Sequence, residues 1–305
     1  MENKALILLM SCNQALYEEE EMACRETFLK DAEYAGMKYY FYKGLNETHK
    51  TQTIDNEEHT IYLDKDDSLS GTYQKTIAAF EEALKIDAWD YLIKTNVSTW
   101  LNIPKIKDAI ESWSGKDDLN IYGARYIANK MSMNVPFPRG CFVIFSRSLI
   151  EGIIQVAKKL INSKSMPKTD DTFICLASLY FLQKENGLLY MEKIKEVPAV
   201  NSWVNNIEDA PEYNEALSIR CKNEKHKERT AENMRKVHGL KQTENVKPRY
   251  FRPVNLIETK YGMLTYDRYE KFIAAEKSKD ETPATDLKKE LIKSKLESIK
   301  EKALS

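Results

Sequence analysis

Short apolar runs alternate with amphipathic segments through the first two thirds of the chain, and this alternation restricts it to an α/β fold. Lys4 to Ser11 reads as a first buried strand, Glu18 to Ala35 as a helix, and Lys38 to Tyr42 as a second strand closed by Gly44. Thr60 to Leu63 and Trp89 to Lys94 read as further strands. Between them Gly71 to Lys85 carries Tyr73, Ile77, Phe80, Ala83 and Leu84 at helical spacing. Ile103 to Trp113 is helical, with Pro104 in its first turn. Asn120 to Ala124, a loop, and Cys141 to Ser146 follow, then helices from Leu149 to Leu160 and from Asp170 to Gln183.

The 305 residues suffice for one large or two modest domains, and 42% hydrophobic with 30% charged residues excludes general disorder. Lys and Arg number 46 against 47 Asp and Glu, so no whole-chain basic field exists to drive unspecific nucleic-acid or membrane binding. The average hides a local excess. Ser218 to Lys260 holds twelve Lys/Arg and five Asp/Glu, a net of +7. The apolar run Ala5 to Met10 is too short to span a bilayer and has no signal-cleavage pattern, so the expectation is a cytoplasmic chain, at most peripheral to a membrane. Five cysteines without CxxC or Cys/His clusters read as reduced core thiols. GxGxxG and P-loop motifs are absent, and Ser11 and Ser146 lack a Ser-His-Asp context. Asp286 to Ala303 reads as a charged helix with a narrow apolar stripe, either a solvated tail or a docking helix. The expected division is a catalytic domain over 1–245 and an extension over 246–305.

Three stretches carry candidate chemistry. Asp90 to Asn102 is an apolar strand running into Lys94, Asn96 and Ser98; such a strand end lines a pocket or simply turns into a helix. Pro136 to Ser146 holds two prolines, Arg139 and Gly140 ahead of a buried strand, and Gly140 permits close approach of a ligand. Asp170-Asp171 opens an apolar helix, where the carboxylates either complement the helix dipole or supply a general base. Trp203 is a sugar-stacking or a core tryptophan.

In this order the stretches resemble the β-1,3-galactosyltransferase and fringe-like glycosyltransferases and their bacterial capsule-type relatives. Arg25-Glu26-Thr27-Phe28 is similar to the Arg-Glu-Thr-Trp element of that group, and Lys38 to Gly44 to its second strand. Asp66-Asp67-Ser68 with Tyr73, Lys75 and Thr76 is similar to its Asp-x-Tyr…Lys-Thr helix. Lys94 to Asn102 falls on the metal-aspartate segment, Pro138 to Ser146 on the Pro…Gly…Ser strand, and Asp170 to Cys175 on the late acidic pair. The resemblance covers roughly residues 4 to 200.

It implies a glycosyltransferase-A fold, a twisted, mostly parallel central sheet flanked by helices, with a helical C-terminal extension. It also implies an inverting transfer from a nucleotide sugar, UDP-linked by expectation, to a glycan or other hydroxyl acceptor. Asp171 is the implied base, with Asp170 as alternative or orienting partner. Donor contacts fall on Ser11, Arg25, Lys75, Lys94, Asn96, Ser98, Arg220 and Lys222, and acceptor contacts on Arg139, Gly140 and Trp203. One departure stands out: Asn96-Val97-Ser98 replaces the Asp-x-Asp motif, so a strong Mn²⁺ or Mg²⁺ site is not expected. Arg220 and Lys222, with Arg229, Arg235 and Lys236 behind them, are the candidate substitutes for metal charge. Two alternatives stay open, a non-catalytic relative and a viral DNA-modifying sugar transferase whose basic segment holds nucleic-acid phosphates.

Overall fold

The computed structural model describes residues 4–87, 89–113, 119–127, 136–162, 167, 169–197, 199–200, 216–222, 227–241, 256–259 and 262–265. The first half holds β1 (Ala5–Met10), α1 (Ala15–Glu26), α2 (Phe28–Tyr34), β2 (Lys38–Gly44), β3 (Thr53–Asp55), β4 (Thr60–Leu63) and α3 (Thr72–Ala83). Next come β5 (Tyr91–Asn96), β6 (Thr99–Leu101), α4 (Ile103–Trp113), β7 (Ile121–Ile127), β8 (Pro136–Ser146) and α5 (Arg147–Leu160). The remainder is α6 (Asp170–Tyr180), α7 (Tyr190–Lys193), β9 (Ile194–Glu196), β10 (Ala199–Val200), β11 (Ser218–Arg220), α8 (Thr230–Lys241) and the hairpin β12 (Leu256–Thr259) and β13 (Gly262–Thr265).

Eight strands form one sheet in the order β3-β4-β2-β1-β5-β8-β7-β9. Residue alternation in β1 shows why its sequence is apolar throughout. Leu6 and Leu8 point to one face, packed with Tyr42, Phe80, Phe145 and Phe173, while Ile7 and Leu9 point to the other with Phe28, Phe41, Ile93 and Met234. Both faces are covered, so alternation between apolar and polar is lost. Each such fully buried side chain stabilises the fold by ~1.5–3 kcal/mol.

β1 pairs in parallel with β2 on one side and β5 on the other. The chain thus leaves β1 in one direction along the sheet and returns to its opposite side at β5, which opens a crevice beyond the carboxyl ends of these strands. β8 runs antiparallel to β5, with Thr95 opposite Phe142, and so brings Gly140 and Cys141 to the same end of the sheet. A second, three-stranded sheet orders β10-β11-β6. It docks the basic segment there too, because β11 runs antiparallel to β6 with Arg220 opposite Thr99.

Three local expectations change. The helix expected over 18–35 is two helices. At Thr27 the backbone leaves the helical region (φ −115°, ψ −115°) and the hydroxyl donates to the Ala23 carbonyl at 2.6 Å. The loop expected before Cys141 is strand from Pro136, paired with β7 through Ile127 opposite Pro136, after a register shift between Gly123 and Arg125. The helix from Asp170 stops its regular geometry at Tyr180 and passes into a π turn over Phe181–Glu185. All five cysteines are free and buried, as their spacing implies. Among the described residues no helix is long and apolar enough to cross a membrane. Trp203, the 245/246 boundary and the charged helix at 286–303 lie outside the described residues.

Candidate functional site

The crevice beyond β1 and β5 is a cleft of about 770 Å³. Its walls carry Ser11, Lys75, Asn96, Ser98, Arg139 and Gly140. Asp170, Asp171, Arg220 and Lys222 line it as well. Ten of the residues named from sequence, drawn from stretches up to 211 positions apart between Ser11 and Lys222, therefore face one space.

Arg25 is the exception. It does not line the cleft; its guanidinium sits 4.6 Å over the Phe41 ring and donates to the Glu58 carbonyl at 2.6 Å, which ties α1 to the sheet. Lys94 also departs from its donor-binding expectation. Its ammonium is fully buried, ion-paired with Asp170, and donates to the Gly140 carbonyl. Burial opposes that charge, but Asp170, then Tyr42 and Asp171, outweigh it and hold the Lys94 ammonium above its usual range. Lys94 thus positions the acidic pair from behind. Gly140 is needed beside it, since a Cβ there would lie 3.1 Å from Asp170 Oδ2, 3.1 Å from Asp171 Cβ and 3.2 Å from Lys94 Nζ.

Ser11 and Lys75 face the cleft, yet their polar atoms are committed to its walls. The Ser11 hydroxyl donates to Glu21, which also accepts from Lys43 at 3.2 Å. Lys75 donates to Asp67 at 2.6 Å and to the Ser11 carbonyl at 2.7 Å. Asp67 further accepts the Gly44 amide at 2.8 Å, so this pair clamps the β1 and β2 ends to the loop before α3.

The two adjacent carboxylates have different surroundings. Asp170 is neutralised by Lys94. Asp171 sits one position further into α6, where its Oδ1 accepts the Thr172 amide at 2.8 Å and the Thr172 hydroxyl at 3.3 Å. Asp170 is thus committed to Lys94, while both carboxylates line the cleft.

The metal that the family resemblance implies needs anionic oxygens at residues 96–98, and these residues do not fit it. Asn96 Oδ1 accepts from the Ser98 hydroxyl at 3.0 Å and the Thr99 hydroxyl at 2.8 Å, so its oxygen closes a turn. Asp67 and Asp170 are each engaged by a lysine. Among the described residues, the three-group cluster at ligand spacing is His49, Asp55 and Glu58, and none of these lines the cleft. Positive charge reaches the turn instead: the Cys221 amide donates to the Ser98 carbonyl at 2.9 Å, fixing Arg220 and Lys222 beside it. Lys227 lines the same wall. Arg235 and Lys236 do not; Arg235 pairs with Glu26 at 2.6 Å and Lys236 with Glu232 at 2.6 Å.

Sequence reasoning missed Glu20. It lies in the acidic run Glu18 to Glu21, which looks like a solvated helix face, but it shares a helical face with Ala23 and Cys24 at i+3 and i+4. That spacing is the signal that could have found it. Glu20 is 4% exposed and lines the cleft. Burial pushes its carboxyl up to about 7, with Lys222, the Thr230 hydroxyl and Arg220 opposing. The folded chain therefore binds a proton at Glu20 between about 4.5 and about 7 that the unfolded chain releases, and stability falls as pH rises through that window. Glu20→Gln is expected to raise the melting temperature at alkaline pH and leave it unchanged in acid. A wild-type to variant difference that is the same at both ends would contradict this. Cys12 and Cys141 also line the cleft, and burial raises both thiols, Cys12 to about 11, which keeps them protonated and unreactive.

No known family profile and no curated protein sequence matches the chain. Solved structures are similar in shape. A glycosyltransferase involved in glycosylation of the major capsid of PBCV-1 is 14% identical, covering 74% of this chain and 99% of that one, with a TM-score of 0.46. The galactosyltransferase LgtC, in complex with donor and acceptor sugar analogues, is 9% identical, covering 79% and 97%, with a TM-score of 0.45. A Pyrobaculum calidifontis mannosyltransferase in complex with GDP-Man and Mn²⁺ is 12% identical, covering 70% and 63%, with a TM-score of 0.36.

Proposed function

We propose that the chain is a glycosyltransferase of the glycosyltransferase-A type, which transfers a sugar from a nucleotide donor to a hydroxyl acceptor with inversion and uses basic side chains where related enzymes use a metal. The observation that carries this reading is the docking of β11 on the Asn96–Ser98 turn, which sets Arg220 and Lys222 at the carboxyl ends of β1 and β5. In the proposed reaction Asp171 takes the proton of the acceptor hydroxyl. The acceptor oxygen then bonds to the anomeric carbon from the face opposite the leaving group. The bond from that carbon to the diphosphate oxygen breaks, and its electron pair leaves with the nucleoside diphosphate, whose charge Arg220, Lys222 and Lys227 stabilise. Arg139 and Gly140 border the acceptor side by Asp171.

A thermal-shift panel of nucleotides and nucleotide sugars, UDP-linked first, with and without Mn²⁺, tests the donor class. Turnover is expected to persist in chelator. Arg220→Ala and Lys222→Ala should each lower turnover about 10- to 100-fold, the worth of one charge-assisted contact to a leaving diphosphate. Loss of activity in chelator, recovery with Mn²⁺ and normal turnover of both variants would overturn the charge-replacement reading. The nucleic-acid alternative has less support, because Arg235 and Lys236 on α8 are engaged by Glu26 and Glu232.

A further inference from the structure

Besides Asp67 and Asp170, which pair with Lys75 and Lys94, the cleft wall carries the cations Arg139, Arg220, Lys222 and Lys227 and the acids Asp171 and Glu20. Asp171 belongs to the reacting end. Glu20 has no part in the proposed chemistry, yet it is buried on the wall that carries Arg220 and Lys222. A carboxylate held among the cations meant for a diphosphate repels that diphosphate at short range. As a neutral acid the same group removes the repulsion and offers an O–H donor to a phosphate oxygen.

We propose that Glu20 is a further donor-binding residue that engages the diphosphate as its neutral acid, so that a nucleotide sugar enters the cleft together with one proton. The proposal rests on the nucleotide-sugar reading of the cleft and deepens it. The groups around Glu20 are consistent with such a role. Arg220 and Lys222 face it from β11 and the residue pair after it, and the Thr230 hydroxyl from α8. Cys12 faces it from the loop after β1, and Tyr17 and Cys24 from its own helix, with Cys221 behind. Tyr17, Cys12, Cys24 and Cys221 are all raised, by burial first, and stay neutral through the range in which Glu20 titrates. Burial and Arg220 lower the Lys222 ammonium while Glu20 raises it, so the two groups are linked. In the empty cleft the ionised Glu20 offsets Lys222 and Arg220; the arriving diphosphate takes over that task, and Glu20 takes its proton from the buffer.

The test is calorimetric titration of the full-length protein with UDP-glucose and, in parallel, GDP-mannose, both diphosphate diesters whose phosphates do not titrate near neutrality. At about pH 8, binding measured in Tris and in HEPES should give enthalpies that differ in proportion to the two buffers' ionisation enthalpies, with a slope approaching one proton taken up. The dissociation constant should weaken by up to about tenfold per pH unit above about pH 7. Glu20→Gln should bind with a buffer-independent enthalpy and a flat pH profile. Saturable binding by wild type with equal enthalpies in both buffers and a constant affinity across the range would overturn the proposal, as would proton uptake that persists in Glu20→Gln. Absence of binding by either probe to either protein would instead remove the nucleotide-sugar reading, and this inference with it.

Discussion

Asp171→Asn is expected to lower turnover about 1,000-fold, in the middle of the range that positioned general bases contribute, while donor affinity stays within about twofold of wild type. Asparagine keeps an oxygen where Asp171 Oδ1 accepts the Thr172 amide at 2.8 Å, so the start of α6 survives the change. What is lost is the carboxylate lone pair to which the proposed reaction assigns the acceptor proton, and with it a small dipole contribution of ~0.3–1 kcal/mol at the helix N-terminus. Asp170→Asn is the informative comparison. It removes the partner of a buried ammonium and should lower stability first, whereas Asp171→Asn should leave the melting temperature nearly unchanged. The product anomer gives an independent reading. Single displacement with a carboxylate base inverts the anomeric centre, so a product that keeps the donor configuration by NMR would overturn the role of Asp171, as would near-normal turnover of Asp171→Asn.

The central strands β1, β2, β4 and β5 were legible because parallel strands covered on both faces must be apolar along their whole length, as Leu6 to Leu9 are. Strand direction is not written in such a run. Nothing in Cys141 to Ser146 distinguishes a parallel strand from the antiparallel β8, and the stretch ahead of it reads as a loop although both of its prolines pair with β7. β11 is three residues long, too short for any period to show. The site followed a similar division. Residue types at the end of β5, at the Pro-Arg-Gly stretch and at the start of α6 picked out Asn96, Ser98, Arg139, Gly140, Asp170 and Asp171, while the family resemblance and the basic segment supplied Ser11, Lys75, Arg220 and Lys222; all ten line the cleft. Their partners were hidden. Lys94 and Asp170 are 76 positions apart, and only the fold shows that the lysine turns to the carboxylate and does not line the cleft. Arg25 belonged to a matching motif but serves Phe41 and Glu58, a case in which a motif marks a helix position more reliably than a contact with ligand. Glu20 failed in the opposite sense, hidden in a run of four glutamates until helical spacing is considered.

Lys94→Met should be the most destabilising single change at the cleft, by ~3–5 kcal/mol, because it leaves a carboxylate uncompensated in a buried setting. The Lys94 side chain is 1% exposed and that of Asp170 13%, so solvent does little to screen the charge that remains. The Gly140 carbonyl loses its donor at the same time. Methionine fills much of the space of the lysine stem, so the loss reports the broken pair more than a cavity. The double variant Lys94→Met with Asp170→Asn should regain a large part of the stability, since removing both members of a buried pair takes away the desolvated charge along with its attraction. Its turnover should stay low, because Asp171 and Gly140 then have no buried ammonium behind them to fix the acidic pair. Denaturant unfolding of the four proteins in the cycle measures the coupling directly. A loss below about 1 kcal/mol for Lys94→Met would mean that the pair is solvated in solution, and full turnover in the double variant would remove the positioning role assigned to Lys94.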